Sequence, residues 1–575
     1  MQKIILTALL AIFTSSAFAK TYDLEIKKQD VFITGKAVEA ITINGSIPGP
    51  TLRFKEGEDV VMKVKNSMDE TTSIHWHGIL LDGKFDGVPG LNGFHGIAPH
   101  TTFTYKFKIR QRGTYWYHSH SNLQEAQGAY GSIVIEPSEN SPCLGRMSSC
   151  VSRTMGVHNQ VDRDYVIVLS DFSEENPNTV LNNLKIDSGY YNYNKRTIFT
   201  FFKDIKKNGF SSTLRDYMDW GSMRMDPTDL SDVTRYHFLT NGKTAEQNWT
   251  GIFKKGERVK LRFINASAMT IYDVSIPGLK MKLVEADGQP IKPTTIDEFR
   301  FGVAETYDVI VEPKEDKAYT IFAESIDRTG YARGTLALAE GMEGKIPPMR
   351  PRAVLTMADM AMGGMDHSSM QGMSGDNMDE DKKMSDEKMD IKMEGMDHSA
   401  MGHDMSSMDM GGMSMAGMNM DNVKSGWAER GTPEGNKALE YSDLISLHPQ
   451  KDLRQPTREI EFKFGGSMNR YIWTINGEKF PKPMHLKYGE RVRLKFVNET
   501  MMAHPIHLHG MFMQLENGQP MKWMPNKHTV IVPPAQTVTL LLTADEAGEW
   551  AFHCHLLLHM ASGMMTSVTV DKEGK

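Results

Sequence analysis

The run His553-Cys554-His555-Leu556-Leu557-Leu558-His559, with Met564 five residues beyond it, constrains this chain more than any other feature. Val, Thr and Leu alternate from Thr537 to Thr543, which predicts a strand that leads into a turn. Successive side chains on a strand point to opposite faces, so Cys554 points one way and His553 and His555 point the other. One short covalent path therefore joins a thiolate on one face to two imidazoles on the other, an arrangement that can serve two metal sites.

A second stretch, His504-Pro505-Ile506-His507-Leu508-His509, follows the same logic. His507 and His509 share a strand face, and His504 falls on the opposite face. A blue (type 1) copper site takes two His, one Cys and a weak axial Met. Cys554, His559 and Met564 supply three of these ligands, and His504 is the candidate for the fourth.

Four pairs of histidines are spaced to share a strand face, and they supply eight imidazoles. One such pair is equally typical of a solvent-facing strand or of a zinc site. Four pairs, with a Cys inside one of them, favour a three-copper cluster made of a binuclear pair and one two-His copper, with positions left for oxygen. The pairs are His75 and His77, His118 and His120, His507 and His509, and His553 and His555.

Four motifs carry a resemblance to a known family: HWHG at 75–78, GTYWYHSH at 113–120, HPIHLHG at 504–510 and HCHLLLH at 553–559. In this order they resemble the copper motifs of the multicopper oxidases, and in particular of the periplasmic copper-resistance protein A family. Segments without ligands are also similar, such as FGVAETYDVIVEP at 301–313. The resemblance covers nearly all of the mature chain.

The resemblance implies four coppers: one type 1, one type 2 and a binuclear type 3 pair. It implies that His75 and His507 hold the type 2 copper. It assigns six residues to the type 3 pair, namely His77, His118, His120, His509, His553 and His555.

Asp86, in Phe85-Asp86-Gly87-Val88-Pro89, aligns with the family's acidic residue near the cluster and is the candidate proton donor. A turn-forming Asp-Gly is an equally good interpretation. Some relatives place an acidic residue directly after the type 1 His. Here that position is Met560, which puts a carboxylate route to the type 1 copper in doubt. The isolated His95, His100, His158, His237, His448, His485 and His528 are expected at the surface or in structural roles.

The chain begins with features of a secretory leader at residues 1–19: Lys3, an apolar run from Ile4 to Phe13, and Ala17-Phe18-Ala19 as the cleavage site. The apolar run is too short to span a bilayer comfortably, so we expect no stable membrane insertion. The predicted location is the periplasm. The formal charge is −7 with no basic stripe, which argues against nucleic-acid binding.

Short strands separated by Gly and Pro turns predict an all-β chain of sandwich domains, and the resemblance makes these cupredoxin-like. The expected domains are 20–140, 160–345 (without copper ligands) and 445–575. Short helices are compatible with the irregular stretch between Tyr190 and Pro227. Because the ligands come from both ends of the chain, the first and third domains are expected to meet, with the trinuclear site between them.

Residues 355–425 form a low-complexity segment that holds nineteen of the 42 Met. Its Asp, Gly and Ser cannot bury an apolar face, so the segment is predicted to be disordered. Thioethers are soft ligands that select Cu(I), which favours a metal-binding role over that of an incidental linker.

Cys143 and Cys150 flank a short loop between the first two domains. In an exported chain such a pair is expected to form a disulfide, with two free thiols as the alternative.

The function expected from these features is oxidation of Cu(I) to Cu(II) at type 1 copper, with reduction of dioxygen to water at the trinuclear cluster. Other periplasmic copper-resistance proteins are possible partners. The alternatives are a copper-sequestering protein and a laccase-like phenol oxidase. The complete ligand set favours catalysis over storage, and the Met-rich segment favours Cu(I) over phenols.

Overall fold

The computed structural model describes residues 19–138, 161–193, 195–222, 228–234, 236–355, 426–428, 430–467 and 470–571, which belong to one compact unit. The predicted leader up to residue 18, the pair Cys143 and Cys150, and the Met-rich segment lie outside the described residues. Their predicted properties therefore stay predictions.

The N-terminal part forms two four-stranded sheets that share one apolar core. On β4, Val60, Met62 and Val64 are buried while Lys63 and Lys65 are exposed, the alternation of a sheet with one solvated face. The sheets run in the orders β2-β1-β4-β6 and β3-β8-β7-β5. The strands are β1 Lys20–Val31, β2 Val38–Ile43, β3 Gly49–Lys55, β4 Asp59–Asn66, β5 His75–His77, β6 Thr102–Lys108, β7 Gly113–His118 and β8 Tyr130–Glu136.

The middle part forms a six-stranded and a five-stranded sheet over a second core. β17 and β18 are buried along their whole length and read as continuous apolar-rich runs. The orders are β10-β9-β12-β17-β14-β15 and β11-β19-β18-β13-β16. The strands are β9 Arg163–Phe172, β10 His237–Thr240, β11 Trp249–Ile252, β12 Val259–Asn265, β13 Tyr272–Ser275, β14 Met281–Ala286, β15 Gln289–Ile296, β16 Glu298–Phe301, β17 Thr306–Val311, β18 Tyr319–Ser325 and β19 Tyr331–Ala337.

The C-terminal part repeats this plan with sheets β21-β20-β23-β28-β25-β26 and β22-β30-β29-β24-β27. Its central β24 and β29 carry the ligand motifs and are almost fully buried. The strands are β20 Arg458–Ser467, β21 Ile472–Ile475, β22 Met484–Lys487, β23 Arg491–Asn498, β24 His504–Leu508, β25 Met513–Leu515, β26 Asn526–Lys527, β27 Thr529–Val532, β28 Thr537–Thr543, β29 Gly548–Cys554 and β30 Met565–Asp571.

Four α-helices accompany the sheets among the described residues: α1 Pro177–Ile186, α2 Ile198–Asn208, α3 Phe210–Ser222 and α4 Leu557–Ala561. Asn176 caps α1, and a capping box of Thr197 and Thr200 begins α2. None of the described helices is long and apolar enough to cross a membrane. The predicted fold class, three pairs of cupredoxin-like sheets, is confirmed, and α2 and α3 occupy the stretch where short helices were compatible with the sequence.

We expect Cys143 and Cys150 to be bridged in the exported protein, because extracytoplasmic conditions favour oxidation of two nearby thiols. Mass measurement after alkylation, with and without reductant, checks this. The bridged protein gains label at these two residues only after reduction. Labelling of both thiols without reductant would show that they are free.

Candidate metal centre

The first candidate site, which we call the thiolate group, consists of His504, Cys554 and His559. His504 begins β24, Cys554 ends β29, and His559 lies in α4. β24 and β29 are antiparallel neighbours, with Ile506 opposite Cys554, and this pairing brings the three side chains together. Nδ1 of His504 lies 3.1 Å from Nδ1 of His559, and the Cys554 sulfur lies 3.6 and 3.7 Å from these two nitrogens. All three residues are buried, and the donor set of two imidazoles and one thiol suits type 1 copper.

Met564, the predicted axial ligand, belongs to the same turn. Its carbonyl accepts a hydrogen bond from the Cys554 amide at 3.1 Å, and its own amide donates to the His559 carbonyl at 3.1 Å. Its side chain is fully buried. The turn therefore ties the backbone of Met564 to two members of the thiolate group.

The second candidate site, which we call the imidazole cluster, consists of the eight paired histidines. Strand pairing sets their relative positions, since His75 lies opposite His118 and His507 lies opposite His553. The N-terminal and C-terminal sheets meet at this cluster, where the rings of His77 and His507 stack with centroids 3.8 Å apart. Seven of the eight are buried and His120 is half-buried.

The ligand atoms of the imidazole cluster fall into two triples. One triple is His77, His118 and His555, and the other is His120, His509 and His553. In the second triple, Nε2 of His553 lies 3.1 Å from that of His509 and 3.4 Å from that of His120. These six are the residues predicted for the binuclear pair. His75 and His507 form a further group with His77.

Five ring nitrogens of the imidazole cluster are buried without a hydrogen-bond partner within the described residues: Nε2 of His75, His118, His507 and His555, and Nδ1 of His77. Buried polar atoms normally have a hydrogen-bond partner, so five unpartnered nitrogens in one place indicate a ligand-binding site. In contrast, Nδ1 of His75 donates to the Asp86 carbonyl at 2.8 Å, and Nδ1 of His507 to the His528 carbonyl at 2.8 Å. Imidazoles held by one nitrogen with the other left open are typical of metal ligands, so the residues fit bound copper.

Burial controls the protonation of both sites. It lowers the pKa of His77, His507 and His509 well below the usual value, helped by repulsion from neighbouring imidazoles, and lowers the pKa of His553 to about 4. These four rings are therefore neutral near pH 7, as metal binding requires. Burial also raises the pKa of the Cys554 thiol, so a bound cation is needed to hold it as a thiolate.

The structure confirms the two-faced geometry of the Cys554 strand. Cys554 lies in the thiolate group, whereas His553 and His555 lie in different triples of the imidazole cluster. Cys554 is therefore joined by one peptide bond to a member of each triple.

Asp86 contacts the imidazole cluster directly. Its Oδ2 accepts from Nδ1 of His509 at 2.8 Å, and its Oδ1 lies 3.4 Å from Nδ1 of His75. The following Gly87 has φ +83°, and a Cβ there would lie 1.8 Å from the Ile74 carbonyl oxygen. The Asp-Gly turn brings the carboxylate to the histidines, so the turn interpretation is compatible with a role as proton donor, which stays a prediction.

Glu125 is a second carboxylate at the cluster, and sequence reasoning missed it. It begins the 3₁₀ turn Glu125–Gln127, and its Oε2 lies 2.7 Å from Nδ1 of His118. Its other oxygen lies 3.9 Å from Nδ1 of His555, so it sits between two members of one triple. Burial, and to a lesser degree Asp171, raises the pKa of Glu125 well above its usual value. The only available signal was an acidic residue five positions after His120, where the chain turns back.

Asp232 is a third carboxylate that was missed, and it lies at the thiolate group. Its Oδ2 accepts from Nε2 of His559 at 2.6 Å and from the Tyr471 hydroxyl at 2.9 Å. The Trp473 ring stacks on the His559 ring, with the two centroids 3.9 Å apart. The carboxyl group that contacts His559 therefore comes from a distant part of the chain and not from position 560, and whether it forms a route to copper stays a prediction.

His528, expected at the surface or in a structural role, is buried against the imidazole cluster. Its ring centroid lies 4.7 Å from that of His77, and its Nδ1 lies 3.0 Å from Thr529 Oγ1. Its Nε2 has no partner in the described part of the chain. A Cβ on Gly78 would lie 2.6 Å from this ring, so the glycine of the HWHG motif makes room for it.

Family models described as multicopper oxidase match residues 25–140, 163–340 and 453–574. The chain is 48% identical to copper resistance protein A of Escherichia coli and 49% identical to that of Pseudomonas syringae pv. tomato, each over 96% of this chain and 92% of the relative. Among solved structures, Fet3p, a multicopper oxidase that functions in iron import, aligns with a TM-score of 0.64 at 16% identity, over 96% of this chain and 90% of that one. The laccase from Botrytis aclada aligns with a TM-score of 0.61 at 19% identity, over 96% and 87%. At these identities the two structures support the fold alone.

Proposed function

This chain belongs to the multicopper oxidase family, in its copper-resistance protein A branch, and from that premise we propose that it oxidises Cu(I) to Cu(II) while it reduces dioxygen to water. The enzymes of this family bind one type 1, one type 2 and two type 3 coppers. The observation that carries the proposal is that a single peptide bond joins Cys554 to a member of each triple of the imidazole cluster, His553 on one side and His555 on the other.

We assign the ligands from the groups described above. His504, Cys554, His559 and Met564 hold type 1 copper, and His75 and His507 hold type 2 copper. Each triple of the imidazole cluster holds one type 3 copper. Bound copper supplies the one-electron transfer and the dioxygen-reducing chemistry at these positions.

The chain's own residues orient the ligands and handle protons. Asp86 accepts from Nδ1 of His509, and the Glu125 carboxyl lies 2.7 Å from Nδ1 of His118, and these two contacts hold the rings in position. Reduction of dioxygen to two waters consumes four protons, and Asp86 is our candidate for their delivery. It is buried, within hydrogen-bond distance of the cluster, and carried on a backbone turn that tolerates no side chain at residue 87.

Cu(I) is the favoured substrate because sulfur atoms and a carboxylate both lie beside the short helix that carries His559. Met560 directly follows His559, and the Met269 sulfur accepts from the Leu558 amide at 3.4 Å. His559 is fully buried and its outer nitrogen is occupied by Asp232. A phenol would need to contact the edge of the His559 ring, which is buried and bonded to Asp232. A small cation needs only to bind near Asp232, so this site favours the cation.

Oxygen uptake by the copper-loaded protein, with Cu(I) compared with a phenol, tests the proposal. We expect a higher kcat/KM for Cu(I). Turnover of the phenol alone would favour the laccase-like alternative, and copper binding without oxygen uptake would favour sequestration.

We place the protein in the periplasm on the strength of its leader-like residues 1–19, with other copper-resistance proteins of that compartment as candidate partners. An N-terminal sequence that begins at Lys20 in the periplasmic fraction would support this. Retention of residues 1–19 in the cytoplasmic fraction would contradict it.

Deletion of residues 357–420 is expected to raise the half-saturating Cu(I) concentration several-fold and to leave the blue colour unchanged. The described residues that flank the segment are close, because a Cβ on Gly426 would lie 2.1 Å from the Val354 carbonyl oxygen. A short Gly/Ser linker can therefore rejoin them. Thioethers bind Cu(I) in preference to harder ions, so their loss lowers local collection of substrate.

A variant of the same length, with Ser in place of the nineteen Met of this segment, distinguishes the effect of the thioethers from the effect of the segment's length. It should behave like the deletion. Unchanged Cu(I) kinetics in both variants would show that the segment is only a linker, and loss of the blue colour or of soluble protein would show that it is structural.

A further inference from the structure

The hairpin formed by α2 and α3 exposes an unusual amount of apolar surface. No residue of α2 is buried. Large exposed apolar side chains concentrated on two neighbouring helices mark an interaction surface. The exposed side chains are Ile198 (68%), Phe199 (82%) and Phe202 (63%) on α2, and Phe210 (58%), Leu214 (38%) and Met218 (63%) on α3.

Each helix uses one side for packing and leaves another side free. The Phe201 ring packs on Tyr217 with centroids 5.0 Å apart, and the Tyr217 hydroxyl donates to Asp204 at 3.0 Å. These residues join the two helices. The exposed apolar positions of α3 recur every four residues, and those of α2 fall at i, i+1 and i+4, so each set forms a stripe along one helix face.

Positive charge accompanies these stripes. Lys203, Lys206 and Lys207 are exposed on α2, and none of them pairs with a carboxylate among the described residues. Nearby Lys195 is different, since it pairs with Asp187 at 2.9 Å. The chain as a whole has a formal charge of −7, so the three unpaired lysines of α2 have the sign opposite to that of the net charge.

We propose that the α2–α3 hairpin binds the surface of a membrane that contains anionic phospholipids. The aromatic and aliphatic side chains enter the boundary between headgroups and acyl chains, and the three lysines reach the lipid phosphates. A helix with an apolar stripe beside a lysine-rich face is suited to lie in that plane. Long lysine stems cover apolar surface while their ammonium groups stay in the polar layer.

The position of the hairpin gives this binding a consequence that goes beyond the proposed function. Trp220 of α3 is buried in the same extended apolar core that contains Leu557 and Leu558. This side chain anchors the hairpin to the body of the protein, so docking through the exposed stripes of α2 and α3 holds the whole chain at the lipid surface.

Co-flotation of the copper-loaded full chain with vesicles tests the proposal. Vesicles of phosphatidylcholine with an equal part of phosphatidylglycerol are compared with vesicles of phosphatidylcholine alone. We expect binding to the anionic vesicles that weakens at high salt. Phe199→Ser with Phe202→Ser should weaken binding by about tenfold per ring. Reversal of Lys203, Lys206 and Lys207 to Glu should weaken it by about fivefold per residue.

Matched controls carry the same changes elsewhere on the surface. Phe32→Ser with Leu453→Ser removes two other exposed apolar side chains, and Lys55→Glu with Lys106→Glu and Lys108→Glu reverses three other exposed lysines. Both controls should float as the parent does, and all variants should keep the blue colour, which reports the fold.

Three results would overturn the proposal. The first is that the parent fails to float with anionic vesicles. The second is that the phenylalanine variant floats as the parent does. The third is self-association without lipid that the phenylalanine variant abolishes, which would identify the hairpin as a contact between two copies of this chain.

Discussion

Cys554→Ser is expected to abolish the blue colour and the oxidase activity, and to lower the copper content from four to three per chain. A serine hydroxyl cannot replace the thiolate that type 1 copper requires, and it also removes the sulfur end of the path to His553 and His555. The two side chains have nearly the same shape, so the buried position should stay packed. Absorption spectra, copper analysis and oxygen uptake measure the three effects.

The matched control is Cys143→Ser with Cys150→Ser, which changes the other two cysteines and should keep the colour and the copper content. Retention of the imidazole cluster in Cys554→Ser is checked by the remaining copper. A Cys554→Ser protein that stays blue would refute the assignment of the thiolate group.

Asp86→Asn is expected to lower kcat for oxygen reduction by about a hundredfold or more, the usual contribution of a positioned proton donor. The amide oxygen can still accept from Nδ1 of His509, so the ring position is largely preserved while the acidic proton is lost. Anaerobic reduction of the type 1 copper should keep its normal rate. Stopped-flow measurement of the two half-reactions separates these outcomes.

Asp82→Asn is the matched control, since Asp82 is an exposed carboxylate in the same loop, and it should leave both half-reactions unchanged. Asp86→Ala adds the loss of the hydrogen bond to His509 and should also reduce copper retention. Full activity in Asp86→Asn, with a defect only in Asp86→Ala, would mean that Asp86 acts by positioning His509 and not as a proton donor.

The ligand strands could be interpreted from the sequence because their geometry is local. A strand has a side-chain period of two, so the spacing of His553, Cys554 and His555 already separated the thiolate from the two imidazoles. The fold class followed from the same short alternating strands. The structure agrees on both points, with Cys554 in one group and its neighbours in two others.

The three carboxylates show where sequence reasoning fell short. Asp86 was proposed through a resemblance, and the sequence alone did not distinguish a turn from a proton donor. Glu125 and Asp232 carry no motif, because an acidic residue in a loop looks the same whether it faces water or a buried imidazole. Met560 showed only that no acid directly follows His559, whereas the acid that contacts the His559 ring lies 327 positions away in the chain.

The sequence by itself determined which residues can bind copper and which of them share a strand face, because those properties depend on side-chain chemistry and on the two-residue repeat. Only the tertiary structure decided how six of the imidazoles divide into two triples, that Asp232 contacts His559, and that His528 is buried beside His77. Those relations join segments up to hundreds of residues apart. They depend on how the N-terminal and C-terminal sheets pack against each other. A local sequence pattern does not predict contacts between segments so far apart in the chain.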